Sequence, residues 1–585
     1  MNAQTKSIYE FGPFRIDMER YLLLRNNEPL ALSPKVFETL LYLVQNRGRV
    51  AKKDEIINNV WPDTFVEEGN LAQNVFLLRK ALGEEKNEHR YIVTIPGVGY
   101  RFVAQVTEVE IQPTPAPTVS KQTKVNSIAV LPFKDLSGQD DDKFLGPGLA
   151  DALIMRLSSI RDLKVRPTAA VLRYSDLKED PLSVGSDLNV DALLDGCYQR
   201  ETDKIRVSVQ LVSVRYGVTL WAAKFDQRVT DIFAIQDSIA DQVVRALAIQ
   251  LSGDEQQQIK KNYTQNSDAF QLFIKGRYFW NQRTTDGLRK ALDYAQQALE
   301  EDPTYAAAYI GLADTYALLG AQHNVLPPHD SFPKARAAAR QALEIDPMLA
   351  EAYASLGFIM YAYEWAWSEA EQTLRKAIDL KPNYSTAHHW YGELLTTLGR
   401  FEEAYVELKI AQELDPLSLA INVDLAAAYF YARNYDRAER QLSNLLELNS
   451  QFVRAHVVLG KVQLQKNDIS KAIEAFRRAV ELSSNDPVSV SALAHALAAT
   501  GETNEAEKLL ATLHESAKYR YISACHVAEV YIGLGQKVVA NQWLDRAYEA
   551  RDVELVWLKI NPAYDSLRAD GRFQELTRSV NPALL

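Results

Sequence analysis

Residues 66–102, VEEGNLAQNVFLLRKALGEEKNEHRYIVTIPGVGYRF, decide how the chain is read. Leu71, Val75, Leu78 and Leu82 fall at spacings of four, three and four, which is one face of a helix. Gly83 is a fitting C-terminal stop. The opposite face carries Asn70, Gln73, Asn74, Phe76, Leu77 and Lys80, with Arg79 at its flank. A hairpin is expected next, 91–95 and 100–103 around Pro96-Gly97-Val98-Gly99. An amide-rich helix face can enter the DNA major groove, where Asn and Gln pair bidentately with adenine. A hairpin beside it can lie on the neighbouring backbone or minor groove. The same pattern also fits an amphipathic helix and hairpin in any small domain.

Outward from this stretch, residues 9–11, 14–17, 21–24 and 29–32 read as short strands. Ser33 and Pro34 open a helix over 34–45 that buries Val36, Phe37, Leu40, Leu41 and Val44. A second helix is expected over 53–60, ended by Trp61-Pro62. Lys52 and Lys53 at its start can meet phosphate at the helix N-terminus, or be solvated surface charges.

Three pieces stand in a fixed order: Leu32-Ser33-Pro34-Lys35-Val36-Phe37-Glu38, Leu78-Arg79-Lys80-Ala81-Leu82-Gly83 and Gly97-Val98-Gly99-Tyr100-Arg101-Phe102. With them the segment resembles the winged-helix DNA-binding domain of the OmpR/PhoB type. The resemblance implies double-stranded DNA as partner and binding as a dimer. It also implies contact with RNA polymerase or a partner protein through the loop 63–68. Asn70, Gln73, Asn74 and Lys80 are the candidates for the groove, and Arg79, Lys52, Tyr100 and Arg101 for the DNA backbone. Phe76, Leu77, Pro96 and Val98 depart from the family, standing where polar or Arg residues often lie. Fewer cations there should lower the salt slope of binding. Leu77 can instead touch a thymine methyl, or this face can be a protein contact.

The chain has 585 residues, 47% hydrophobic and 24% charged, the make-up of a multidomain globular protein. Its net charge is −11, which argues against a general nucleic-acid coat. Residues 1–106 hold 14 basic and 13 acidic side chains, and the rest holds 51 and 63. DNA contact must therefore come from local placement of charge. Cys197 and Cys525 suggest neither a disulfide framework nor a zinc site, and read as buried thiols in a reducing compartment. The start lacks an apolar signal segment, and no run approaches the roughly 18 apolar residues of a membrane helix. No receiver domain precedes the winged helix. A cytoplasmic, one-component protein is expected.

Residues 6–105 are assigned to the winged helix and 106–124, with Pro113, Pro115 and Pro117, to a semi-rigid linker. In the related CadC/ToxR-like regulators a membrane helix would come near this point, so the chain resembles a soluble relative of those sensors. Residues 125–252 read as a mixed α/β domain: strands at 128–131, 191–200, 204–213 and 219–227, and helices at 148–158 and 231–251. Ile205, Val207, Val209 and Leu211 alternate with polar residues, as in a strand with one buried face. The pieces 128–133, 136–138, 220–222 and 231–237 resemble the TolB-amino-terminal-like module.

Residues 268–550 repeat. Gly276, Ala313, Gly357, Gly392, Ala426, Gly460, Ala494 and Ala528 are separated by 37, 44, 35, 34, 34, 34 and 34 positions. Small residues at a period of 34 let paired helices approach closely and resemble tetratricopeptide repeats, about eight of them. Residues 551–585 are read as a cap, and 323–332 as an insertion. The concave groove is expected to hold a protein, peptide or small ligand. Trp280, Trp365, Trp367 and Trp390 are candidates to line it, or to be inter-repeat core. No P-loop, HExxH or CxxC is present, and the adjacent His388 and His389 point about 100° apart on a helix. No cofactor, metal or catalytic residue is assigned.

The fold class is thus a winged helix-turn-helix, a central α/β domain and an all-α solenoid. The function expected is a DNA-binding transcriptional regulator, not an enzyme, whose repeats bind a partner or ligand. The alternative is a repeat scaffold with a degenerate DNA-binding domain.

Overall fold

The computed structural model describes residues 7–17, 22–25, 28–30, 34–60, 68–84, 88, 90–95, 97–110, 125–136, 144–175, 180–201, 204–228, 232–247, 249, 251–253, 255, 256, 264, 266–281, 284–321 and 326–581. Residues 63–67, Pro96, the linker prolines and residues 323–325 of the expected insertion lie outside these residues. The chain forms two compact units, the winged helix and the α/β domain with its repeats.

In the first unit, β1 (Ser7–Phe11), β2 (Phe14–Asp17), β3 (Leu22–Arg25) and β4 (Glu28–Leu30) form an antiparallel sheet. A fifth strand, β8 (Thr107–Glu110), pairs with β1 at its open edge. The linker expected from residue 106 therefore starts later, because these four residues satisfy the unpaired backbone of β1. Helices α1 (Pro34–Gln45), α2 (Lys53–Val60) and α3 (Glu68–Leu82) pack over this sheet. Leu43 is buried where Leu41 was expected, and Leu41 sits half-buried at the edge of the α1 face. The second sheet runs β5 (Ala51–Lys52), β7 (Gly99–Phe102), β6 (Ile92–Ile95). Lys52 belongs to β5 opposite Gly99, so it precedes α2 and does not open it. A Cβ on Gly99 would stand 2.0 Å from the Ala51 carbonyl oxygen, so only glycine permits this pairing.

The central domain places β9 (Ser127–Val130) between β11 (Lys164–Val165) and β12 (Ala192–Glu201), all parallel. β13 (Lys204–Ser213) and β14 (Val218–Arg228) extend the sheet, and β10 (Lys134–Asp135) pairs with β12. Ile205, Val207, Val209 and Leu211 are buried, as their alternation requires. Helices α4 (Leu145–Leu157) and α7 (Ile232–Ala246) are tied by an Arg156–Asp237 ion pair. Helix α7 ends five residues before the expected 251. Two short helices, α5 (Thr168–Leu172) and α6 (Pro181–Asp187), carry no long apolar period and were not expected.

Eight helix pairs follow among the described residues, from Ser267–Asn281 with Thr285–Glu301 to Ala524–Gly533 with Lys537–Glu549. A Cβ on Gly392 would fall 2.6 Å from Leu408, and one on Gly460 2.6 Å from Phe476. The small positions of the period are therefore where paired helices touch. The third repeat explains its odd step of 35. Its first helix ends in a π-turn, Met360–Glu364, which absorbs one extra residue, and Trp365 then adopts φ +60°.

The central domain is bolted to the repeats. Arg166 donates to the carbonyls of Glu413 (2.6 Å), Leu414 (3.0 Å), Leu188 (2.8 Å) and Asn189 (2.7 Å). Asn383 donates to the carbonyls of Ile160, Arg161 and Leu163 at 2.9–3.1 Å. The C-terminal segment ends in a helix, Gly571–Val580, and packs back on the third and fifth repeats. Trp367 Nε1 donates to the Val580 carbonyl (2.9 Å), Tyr431 stacks on Trp557 at 4.8 Å, and Arg433 pairs with Asp565 at 2.8 Å.

Candidate DNA interface and repeat cavity

Helix α3 buries Leu71, Val75, Leu78 and Leu82 against α1 and the first sheet. That burial fixes which face remains outside. Gln73, Phe76, Leu77 and Lys80 are exposed on it, Phe76 at 60%. Asn70 lies in the first turn of α3, and its side chain is outside the described residues.

The structure separates residues that the sequence grouped together. Asn74 is half-buried and donates to the Thr39 hydroxyl at 3.2 Å, which ties α3 to α1. Arg79 turns toward the wing. Its Nη2 donates to the Ile92 carbonyl and to the Thr94 hydroxyl, both at 2.9 Å. Its Nε is 3.6 Å from the fully buried Glu84 carboxylate. Glu84 in turn accepts from the backbone N–H groups of Tyr91 and Ile92 (3.1 Å to the latter). Arg79 thus braces the end of α3 against β6. Tyr100 is 7% exposed and packs in the domain core. Lys52, Lys80 and Arg101 are exposed and make no ion pair among the described residues. The outer row left for a partner is Gln73, Leu77 and Lys80, flanked by Phe76, Lys52, Arg101 and the wing tip. The tip turns on Gly97 (φ +74°) and carries Val98, 44% exposed.

The second feature is a cavity of about 1180 Å³ bounded by the repeats, the C-terminal segment and the central domain. Trp280 and Trp390 border it while largely buried, whereas Trp367 is core and Trp365 stacks on Tyr548 at 5.2 Å. Charge is dense on this wall. His389 Nε2 lies 2.9 Å from Asp424 Oδ2, and Arg454 donates to Asp424 Oδ1 at 2.7 Å. The Tyr361 hydroxyl donates to Glu393 at 3.3 Å. Burial, reinforced by the Asp424 charge, pushes the Glu393 carboxyl up to about 7. His388 faces elsewhere, its Nδ1 on Glu407 (2.6 Å) and its Nε2 on the Pro382 carbonyl (2.9 Å). The sequence reading missed this cluster. Its one local signal was the four-residue spacing of His389 and Glu393, and Asp424 comes from the next repeat.

Comparison with known proteins fits this geometry. The model for the C-terminal domain of transcriptional regulatory proteins matches residues 27–102. The model for the second domain of HilA/YgeH-like transcriptional regulators matches residues 123–242, the span read as the central α/β domain. Tetratricopeptide models match 423–487 and 463–518. Transcriptional regulator HilA of Salmonella typhi is 26% identical over 460 residues, covering 78% of this chain and 79% of the relative. Putative adenylate cyclase 3 of Rhizobium meliloti is 29% identical over 187 residues, 32% of either chain. Sensory transduction protein RegX3 of Mycolicibacterium smegmatis is 36% identical over 96 residues, 16% of this chain and 42% of the relative. No helix among the described residues is long and apolar enough to cross a membrane. The chain thus carries an OmpR/PhoB-type winged helix, a HilA-like regulator domain and tetratricopeptide repeats, the build of a DNA-binding transcriptional regulator.

Proposed function

We propose that the winged helix reads promoter DNA through the exposed row Gln73, Leu77 and Lys80, with Asn70 at its N-terminal end. The observation that carries this reading is that row itself: α3 has buried its apolar face and still presents an amide, a cation and an apolar side chain in line. Gln73 suits an adenine edge and Leu77 a thymine methyl. Lys52, Lys80 and Arg101 supply the phosphate contacts, and Asn74, Arg79 and Tyr100 hold the helix and wing in place. We assign to the chain binding as a dimer on repeated half-sites, as the family resemblance implies, and to residues 63–68 contact with RNA polymerase. The repeats take up a protein or peptide, the protein works in the cytoplasm, and no catalysed reaction is assigned to it.

The test is a fluorescence-anisotropy titration of duplex DNA with the full chain between about 50 and 200 mM salt. Three phosphate contacts per protomer give a log–log slope of about −2.7 for each protomer bound, lowered by about 0.9 per protomer in Lys80→Ala. Binding indifferent to salt and to Lys80 would refute it. A scaffold reading has one observation in its favour: Phe76, Leu77 and Val98 leave apolar surface on the DNA-facing side. It expects Gln73→Ala to leave cellular function intact.

A further inference from the structure

We propose that His389, Glu393 and Asp424 bind a first-row divalent metal ion, of the Zn²⁺ or Mn²⁺ class, on the wall of the repeat cavity. His389 and Glu393 lie one turn apart on the fourth repeat's first helix, Ser385–Thr397, and so share a face. Asp424 reaches them from the fifth repeat's first helix, Leu419–Tyr431. One donor atom from each lies within 4.8 Å of the other two. Donors on one tetrahedral zinc ion stand roughly 3.5 Å apart, so closure asks for side-chain adjustments of about 1 Å. One imidazole and two carboxylates form a hard-to-borderline donor set that suits these ions.

The surroundings are those of ligands held in place. Arg454 occupies Asp424 Oδ1, which leaves Oδ2 turned to His389. The Tyr361 hydroxyl occupies Glu393 Oε2. Outer-shell donors of this kind orient ligating carboxylates toward the ion. Because Tyr361 belongs to the third repeat and Arg454 to the sixth, an ion here would join four successive repeats around the cavity. The inference is independent of DNA binding.

The experiment is titration of the chelator-stripped full chain with Zn²⁺, and in parallel with Co²⁺, followed by calorimetry, Co²⁺ visible absorption and thermal unfolding. One equivalent is expected to bind, raise the unfolding temperature and give a d–d spectrum. Glu393→Gln keeps the side chain's volume and is expected to weaken binding at least tenfold. His389→Ala is expected to abolish the spectrum, and circular dichroism checks that both variants fold. His456→Ala, half-buried on the sixth repeat and outside the cavity lining, is expected to bind as wild type. No stoichiometric binding would overturn the proposal, as would binding unchanged in Glu393→Gln or lost in His456→Ala.

Discussion

Arg79 and Lys80 are neighbours in sequence with opposite tasks, and replacing each by alanine separates them. Arg79→Ala removes two charge-assisted hydrogen bonds of 2.9 Å to β6 and strands the fully buried Glu84 without its cation. Hydrogen bonds to charged groups contribute about 1.5–3 kcal/mol each. Arg79 is partly exposed, so the lower end applies, and the loss is about 3 kcal/mol. Lys80 is exposed without an ion pair among the described residues, so its removal costs less than about 0.5 kcal/mol of stability. On DNA the order reverses. Lys80→Ala lowers the salt slope by about 0.9 per protomer, whereas Arg79→Ala leaves the slope of the folded fraction unchanged. Urea unfolding of residues 1–124 measures the first effect, and anisotropy of the full chain at several salt concentrations measures the second. Amide exchange over β6 shows whether the wing has loosened. An Arg79→Ala domain of wild-type stability, with a slope lower by one, would refute the assignment of Arg79 as a brace.

Gly99→Ala places a Cβ 2.0 Å from the Ala51 carbonyl, and separating β5 from β7 is expected to cost about 2–4 kcal/mol in the same urea assay. Trp367→Phe deprives the Val580 carbonyl of its donor, and about 1–3 kcal/mol is expected to be lost from the docked C-terminal segment, read as faster amide exchange over 571–580. The Glu393 carboxyl titrates about 7 in the fold against an ordinary 4.5, so its proton is held more tightly when folded. Its stabilising effect is present below pH 4.5 and is lost as pH rises through 7. In chelated buffer Glu393→Gln is therefore expected to melt higher than wild type at pH 8 and alike at pH 4, and the opposite order would contradict the burial of this group.

The winged helix was legible where the apolar period is local. Helices α1 and α2 and the buried face of α3 follow directly from spacing. Strand β8 was not legible, because four residues next to a proline-rich segment form a strand only once β1 offers its edge. The repeats were readable from small residues at fixed positions, since a glycine such as Gly392 marks a contact that a side chain would block. The return of the C-terminal segment to Trp367 depends on the winding of the whole array. The same limit hid the cavity cluster: His389 stands beside His388 in sequence, yet its partners are one helical turn on and one repeat away. The outward-facing part of the candidate DNA contacts was half readable. Spacing gave Gln73, Leu77 and Lys80 as outward, but it could not show that Asn74 bonds Thr39 or that Arg79 folds back to Thr94.

The central claim, that α3 reads sequence, is tested most directly by selecting random duplex DNA with the full chain at two salt concentrations, wild type beside Gln73→Ala. The account predicts enrichment of a repeated motif that persists at the higher salt, with one A·T position relaxed in the variant. Unselective binding that vanishes with salt, identical in the two proteins, would contradict it.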